Sequence, residues 1–318
     1  MSDFLDRLRR GPCLLLDGGL GSELIARGLA PGTPPDLWTL ERPEELTAVH
    51  RSYVQAGSDA IHANTFGSNA ARLEQFGLLD RIEEINRTAV RLARESGATY
   101  VIADIGPTGE YLPPVGHGDL ARWRRHFVQQ AEILATTPID AFHVETMTDV
   151  REALTALDAL QEVAPSIPVL ISMAFESKKK GFFTIMGDPL GPSLARLWAA
   201  GPAAVGANCG MASPQMRALA REVLSSPGGA ASGAASGEGG AASGAAGNAP
   251  GSPDGALLVF QPNAGKPQMT GEGIRYAQDP AEFAEDLASL LSFPRVAALG
   301  GCCGTDPRFI AALRARLP

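Results

Sequence analysis

Eight short apolar runs, each followed by a longer amphipathic run, restrict the fold of this chain more than any other feature. The strand candidates are CLLLD (13–17), DAIHANTF (59–66), TYVIADIG (99–106), DAFHVET (140–146), PVLISMAF (168–175), AAVGANCG (203–210), ALLVFQPNAG (256–265) and VAALGGCCG (296–304). Helix candidates lie between them at 44–56, 79–96, 120–136, 148–164, 189–200, 214–224, 280–291 and 307–317, several opening on proline, whose fixed φ suits a first helical turn. Eight consecutive βα pairs predict an α/β fold of the (β/α)8 TIM-barrel type. A doubly wound nucleotide-binding sheet is the weaker alternative. The DGGLGS run at 17–22 lacks the third glycine of a dinucleotide fingerprint, and no GK[ST] phosphate loop occurs.

The 318 residues suit one such barrel, read here as a single domain over 1–318. Residues 225–255 stand apart: Gly, Ala, Ser and Pro with almost nothing to bury, which predicts a flexible insertion between helix six and strand seven. Hydrophobic residues make up 45% and charged residues 19%, enough for a large core and too apolar for wholesale disorder. The net charge of −8 and the absence of a dense basic tract predict no nucleic-acid partner. The opening MSDFLDRLRR leads into no apolar signal core, and no stretch approaches the roughly 18 apolar residues of a membrane span, so the expected location is cytoplasmic.

In such a barrel the reaction site forms at the C-terminal ends of the strands, and here those ends are unusually polar. Cys209 alone reads as a small buried hydrophobe. Cys302 and Cys303 change that reading, because neighbours cannot easily bridge each other and strands six and eight flank strand seven, which carries Asn263. With strands roughly 5 Å apart the three thiols can converge on a soft-metal site suited to zinc, leaving one position for an exchangeable ligand. Cys13 opens strand one at the opposite end and reads as packing. Asp17 and Glu145 admit two readings: binding of a substrate ammonium, or helix caps and turns. His62 and His143 fall inside their strands, which favours core or supporting roles. The run Lys178–Lys180 reads as a solvated loop.

With these motifs in view the chain resembles the homocysteine S-methyltransferase family of zinc-dependent barrels. The resemblance rests on Asp17-Gly-Gly-Leu-Gly-Ser, His62-Ala-Asn-Thr-Phe-Gly, Asp104-Ile-Gly-Pro-Thr-Gly, Glu145-Thr, Gly206-Ala-Asn-Cys-Gly, Pro262-Asn-Ala-Gly-Lys-Pro and Gly300-Gly-Cys-Cys-Gly-Thr, in that order. It implies that Cys209, Cys302 and Cys303 bind zinc and that Asn263 is the fourth ligand before substrate enters. It further implies that Asp17 and Glu145 receive the amino group of homocysteine, while backbone around Gly18, Gly19 and Thr65 helps hold its carboxylate. Within the family the Asn-Thr-Phe-Gly and Pro-Asn-Ala-Gly-Lys-Pro segments look most like the homocysteine module of cobalamin-dependent methionine synthase. That implies methylcobalamin as donor, carried here by a separate corrinoid protein, with a small sulfonium such as S-methylmethionine as the other donor class. Two further readings stay open: methyl transfer to or from a different thiol or thioether, and a non-catalytic barrel in which zinc only ties strand ends together for binding or sensing.

Overall fold

The computed structural model describes residues 3–225, 255–270 and 273–318. Of the insertion expected at 225–255, residues 226–254 lie outside the described residues. Eight parallel strands form one sheet: β1 Leu14–Leu15, β2 Ala60–His62, β3 Tyr100–Ile105, β4 Ala141–Met147, β5 Val169–Met173, β6 Ala204–Ala212, β7 Leu258–Asn263 and β8 Val296–Leu299. Each falls on one of the strand candidates. Their order around the sheet, β1-β8-β7-β6-β5-β4-β3-β2, is that of a barrel split at one seam.

At that seam β1 and β2 share no regular ladder. One backbone bond and two carboxylates take its place: the Asp59 N–H donates to the Leu15 carbonyl at 2.7 Å, Asp59 Oδ2 accepts the Leu15 N–H at 2.8 Å, and Asp17 Oδ2 accepts the His62 N–H at 3.0 Å. Two backbone donors that an open edge would leave unpaired are thereby satisfied.

The barrel helices are α1 Pro43–Gln55, α2 Ile82–Glu95, α3 Leu120–Leu134, α4 Val150–Val163, α5 Leu190–Ala199, α6 Ser213–Ser225, α7 Pro280–Ala288 and α8 Pro307–Arg314. Proline occupies the first turn of α1, α7 and α8, as expected, whereas Pro189 precedes α5 as its cap. Asp119, Asp149, Asp279 and Asp306 cap α3, α4, α7 and α8 through their carboxylates, each worth about 1 kcal/mol. Short helices at Leu20–Ala26, Pro35–Glu41 and Ala70–Gln75 build the loops after β1 and β2. The Lys178–Lys180 run lies not in an open loop but at the turn of an exposed hairpin pairing Glu176–Lys178 with Gly181–Phe183.

Strand alternation divides the apolar residues into two cores. Leu15, Ile61, Val101, Phe142, Ile171, Val205 and Phe260 face outward and pack under the helices. Leu14, Leu16, Ala60, Ile102, Leu170, Ala204 and Val259 face inward, and the helix Asp3–Arg10 closes the lower mouth with Phe4 and Leu8. One step higher on the same inward faces the residues turn polar: His62, Asp104, His143, Ser172, Asn208 and Gln261, all buried. The barrel is therefore apolar below and polar beneath its C-terminal mouth.

Candidate metal centre

The order β6-β7-β8 brings the three cysteines together, as their spacing predicts. Between Asn208 and Ala212 the pairing of β6 with β7 shifts register, and the extra residues bulge. Cys209 there adopts φ 57°, and Gly210 follows at φ 66°, where an added Cβ would lie 2.7 Å from the Phe175 carbonyl oxygen. A non-glycine residue in the left-handed region is strained, and the strain turns the Cys209 sulfur toward β8. Cys302 and Cys303 lie just past β8. The Cys302 N–H donates to the Pro262 carbonyl at 2.9 Å, and the Cys303 carbonyl accepts the Ala264 N–H at 3.0 Å.

All three sulfurs lie within 4.8 Å of one another, an arrangement that could hold a metal ion, and Cys209 Sγ is 3.8 Å from Cys303 Sγ. Hydrogen bonds from Cys302 and Cys303 hold the Cys209 thiol well below the ordinary thiol range, while the other two are pushed up. Asn263, 6% exposed, hydrogen-bonds Cys209, yet its Oδ1 has no partner among the described residues. Buried polar atoms without partners are rare, so this oxygen marks a place for a ligand. Tyr276, unmarked in the sequence, hydrogen-bonds Cys303 and is raised by burial and by the nearby thiols.

These thiols form one wall of a cavity of about 820 Å³ at the C-terminal mouth. Gly18, Gly19 and Glu145 line it, with His62, Asp104 and Thr146. Asp17 and Thr65 lie behind the lining. Asp17 is 1% exposed and gives both carboxylate oxygens to His62, Oδ1 to the ring Nδ1 at 2.6 Å and Oδ2 to the backbone N–H. Thr65 is fully buried, its hydroxyl bonded to the backbone of Asp104. The Gly19 N–H donates to the Thr305 carbonyl at 2.9 Å. Neither Asp17 nor Glu145 caps a helix: Gly19 precedes Leu20–Ala26, and Asp149 caps α4.

Burial, opposed by His62 and reinforced by Cys209 and Asp17, pushes Glu145 up to about 7. Asp104 is raised well above the usual carboxylate range by burial and by Glu145, and its Oδ1 has no partner among the described residues. The alternation Tyr100-Ile102-Asp104 places Asp104 on the inner face, a signal readable in the sequence; the approach of Tyr276, which comes from a loop, left no such signal.

No described helix is long and apolar enough to cross a membrane. A sequence model of homocysteine S-methyltransferase matches residues 14–317. The chain is 28% identical over 330 residues to methionine synthase of Mycobacterium tuberculosis, covering 97% of this chain and 25% of that protein. It is 29% identical over 216 residues to betaine–homocysteine S-methyltransferase 1 of Pongo abelii, covering 64% of this chain and 50% of that one. It thus spans about a quarter of the methionine synthase and half of the betaine enzyme. Among solved structures, the metallated form of the homocysteine methyltransferase MmuM from Escherichia coli superposes with a TM-score of 0.69 at 23% identity, over 97% of this chain and 98% of that one, a likeness of fold. The match to nearly the whole chain establishes that it belongs to the homocysteine S-methyltransferase family.

Proposed function

We propose that the protein is a zinc-dependent S-methyltransferase that accepts L-homocysteine as its thiol and forms methionine. The convergence of Cys209, Cys302 and Cys303 on the wall of the cavity carries this reading. The donor set fits zinc: two sulfurs each ~2.3 Å from a tetrahedral ion lie about 3.8 Å apart, the separation of Cys209 from Cys303. The unpartnered Asn263 Oδ1 supports a fourth ligand that the substrate thiol displaces. When bound, zinc supplies a thiol that is deprotonated near neutral pH, which a free thiol of pKa about 8.5 is not. No strong general base is then needed. Thiols that must stay reduced suit a cytoplasmic setting.

The chain orients the acceptor. The buried carboxyl of Asp104, whose Oδ1 has no partner among the described residues, and the half-buried carboxyl of Glu145 both lie on the lining, where a substrate ammonium supplies a cationic partner. Asp17 acts from beneath, through His62. Gly18 and Gly19, with Thr65 behind them, form the wall against which the substrate carboxylate lies. In the transfer the sulfur–methyl bond forms as the donor–methyl bond breaks, with the electron pair left on the donor. The donor is methylcobalamin on a separate corrinoid protein, or a small sulfonium such as S-methylmethionine.

Zinc stoichiometry with X-ray absorption at the zinc edge, before and after adding homocysteine, tests the reading. One zinc per chain that gains a sulfur neighbour is the expected result; one zinc with an unchanged shell removes homocysteine as the acceptor.

A further inference from the structure

Directly beneath the cavity, side chains from five strands or strand ends form a single file of hydrogen bonds across the barrel. Asp17 Oδ1 meets His62 Nδ1 at 2.6 Å, His62 Nε2 meets His143 Nδ1 at 2.9 Å, and His143 Nε2 meets Ser172 Oγ at 3.0 Å. Ser172 Oγ in turn donates to Asn208 Oδ1 at 2.7 Å. The far end is anchored twice by Thr146, whose N–H donates to Asn208 Oδ1 at 2.8 Å and whose Oγ1 accepts from Asn208 Nδ2 at 2.7 Å. Each of Asp17, His62, His143, Ser172 and Asn208 is at most 6% exposed, so the file depends on partners within the protein.

The proton inventory of this file is determined from its anchored end. The Thr146 N–H requires the oxygen of the Asn208 amide to face it, and that oxygen carries no proton. The contact between Ser172 and Asn208 therefore uses the only proton of the serine. His143 must then donate from Nε2 and, as a neutral ring, accept on Nδ1. His62 must donate to that nitrogen from Nε2 and to the Asp17 carboxylate from Nδ1, so it carries a proton on both ring nitrogens.

We propose that Asp17, His62, His143 and Ser172 are positioning residues for the three-cysteine site: they hold His62 as a buried imidazolium paired with Asp17 and, through Asn208, fix the backbone that carries Cys209. The anchoring pair is informative. Thr146, at φ 58°, and Cys209, at φ 57°, are the two non-glycine residues in the left-handed region among the described residues, and Asn208 bonds the first and immediately precedes the second. Its amide also lies 4.0 Å from Cys302 Sγ. A β-branched residue in that region persists only where its surroundings over-determine it, and this file does so.

The charges around His62 agree. Burial opposes its protonation, but the Asp17 charge and hydrogen bond, helped by Asp104 from β3 and Glu145 from β4, bring it up to about 9. His143 is driven well below the ordinary range by burial and by His62. His50 on α1, also within range of Asp17 and His62, is lowered by burial to about 4 and adds no positive charge at neutral pH. His62, His143 and Glu145 could in principle share a metal ion, but the 2.9 Å separation of the two rings is that of a hydrogen bond.

Only the link to Cys209 rests on the proposed metal site; the imidazolium is testable in the metal-free chain. With five histidines in the sequence, nitrogen NMR of the ¹⁵N-histidine-labelled full-length protein resolves each ring. At pH 7.5 we expect one ring protonated on both nitrogens, lost in Asp17→Asn, and one neutral ring protonated on Nε2 alone. In Ser172→Ala we expect the cobalt(II) absorption bands of the substituted protein to shift and zinc affinity to fall at least about tenfold, with all three cysteines intact. Wild-type protein with no doubly protonated ring at pH 7.5 overturns the proposal, as does Ser172→Ala with unchanged cobalt spectrum and zinc affinity. Wild-type protein that shows the imidazolium but binds neither cobalt nor zinc overturns the positioning role together with the metal site, and leaves the charge assignment standing.

Discussion

Replacing Gly206 with alanine tests how closely β6 and β7 must approach to bring Cys209 beside Asn263. An ideal Cβ at this position would lie 1.7 Å from the Val259 carbonyl oxygen, 2.7 Å from its carbon and 2.9 Å from Val259 Cγ1. Comfortable contact needs about 3.5 Å, so the strands must part by roughly 1.8 Å where they pair at about 4.8 Å. Overpacking against mobile side chains costs about 1–3 kcal/mol; here the first two obstacles are backbone in the middle of a parallel ladder, so a loss of at least ~3 kcal/mol is expected. Cys209 lies three residues further along the same strand, so zinc affinity should fall as well, by about tenfold or more. Urea denaturation of metal-free protein measures the first effect without linkage to metal binding, and chelator competition measures the second. Gly21→Ala is the control: no atom lies within 4 Å of its Cβ position, it sits in the helix Leu20–Ala26, and it should stabilise by about 0.5–1 kcal/mol. If Gly206→Ala unfolds within ~0.5 kcal/mol of wild type, the close approach of β6 and β7 described above is wrong.

Alanine at Cys209, Cys302 or Cys303 should abolish stoichiometric zinc and turnover, since each removes one of three thiolate donors; metal analysis and a thiol methylation assay check it, and full activity in any one variant removes that residue from the site. Homocysteine binding should strengthen as pH rises through about 7, because burial favours the neutral form of Glu145 below that point and only its carboxylate pairs with an ammonium. Glu145→Gln should flatten that profile in calorimetry. The same raised value means that Glu145 favours the ligand-free fold when protonated, a contribution present below its unfolded pKa of about 4.5 and lost as pH rises through about 7. Deleting residues 226–254, which fall in sequence between α6 and β7, a connection that in a barrel lies away from the C-terminal mouth, should change zinc content and kinetic constants by less than about twofold, under ~0.5 kcal/mol on the barrier.

Much of the site was legible because strand alternation is a local property. Ile102–Asp104, Leu170–Ser172 and Gly206–Asn208 each place a polar residue two positions beyond an inward-facing small or apolar one, and period two carries them to one interior layer. Cys302-Cys303 and Cys209 were legible for a different reason, the adjacency of strands six, seven and eight that a barrel enforces. The roles of Asp17 and Asp104 were not. Both are carboxylates at strand ends, and only the closed barrel shows that Asp17 is enclosed against the His62 ring, which His143 holds from its other side, while Asp104 faces the cavity. The approach of Tyr276 to Cys303 depends on Gly304, at φ 79°, where an added Cβ would lie 2.1 Å from the tyrosine ring; a loop contact of this kind has no period to read.

The amino-acid order by itself determined the eightfold βα repeat, the outward and inward cores and the presence of three thiols and several carboxylates at the strand ends, because propensity and periodicity act within a few residues of the chain. Tertiary structure alone decided which of those groups touch. The left-handed backbone at Thr146 and Cys209, the file of hydrogen bonds from Asp17 to Asn208 and the unpartnered oxygens of Asn263 and Asp104 all arise from contacts between strands remote in sequence. Such contacts have defined distances and directions only once the barrel has closed, and it is those distances and directions that turn a set of polar residues into a site.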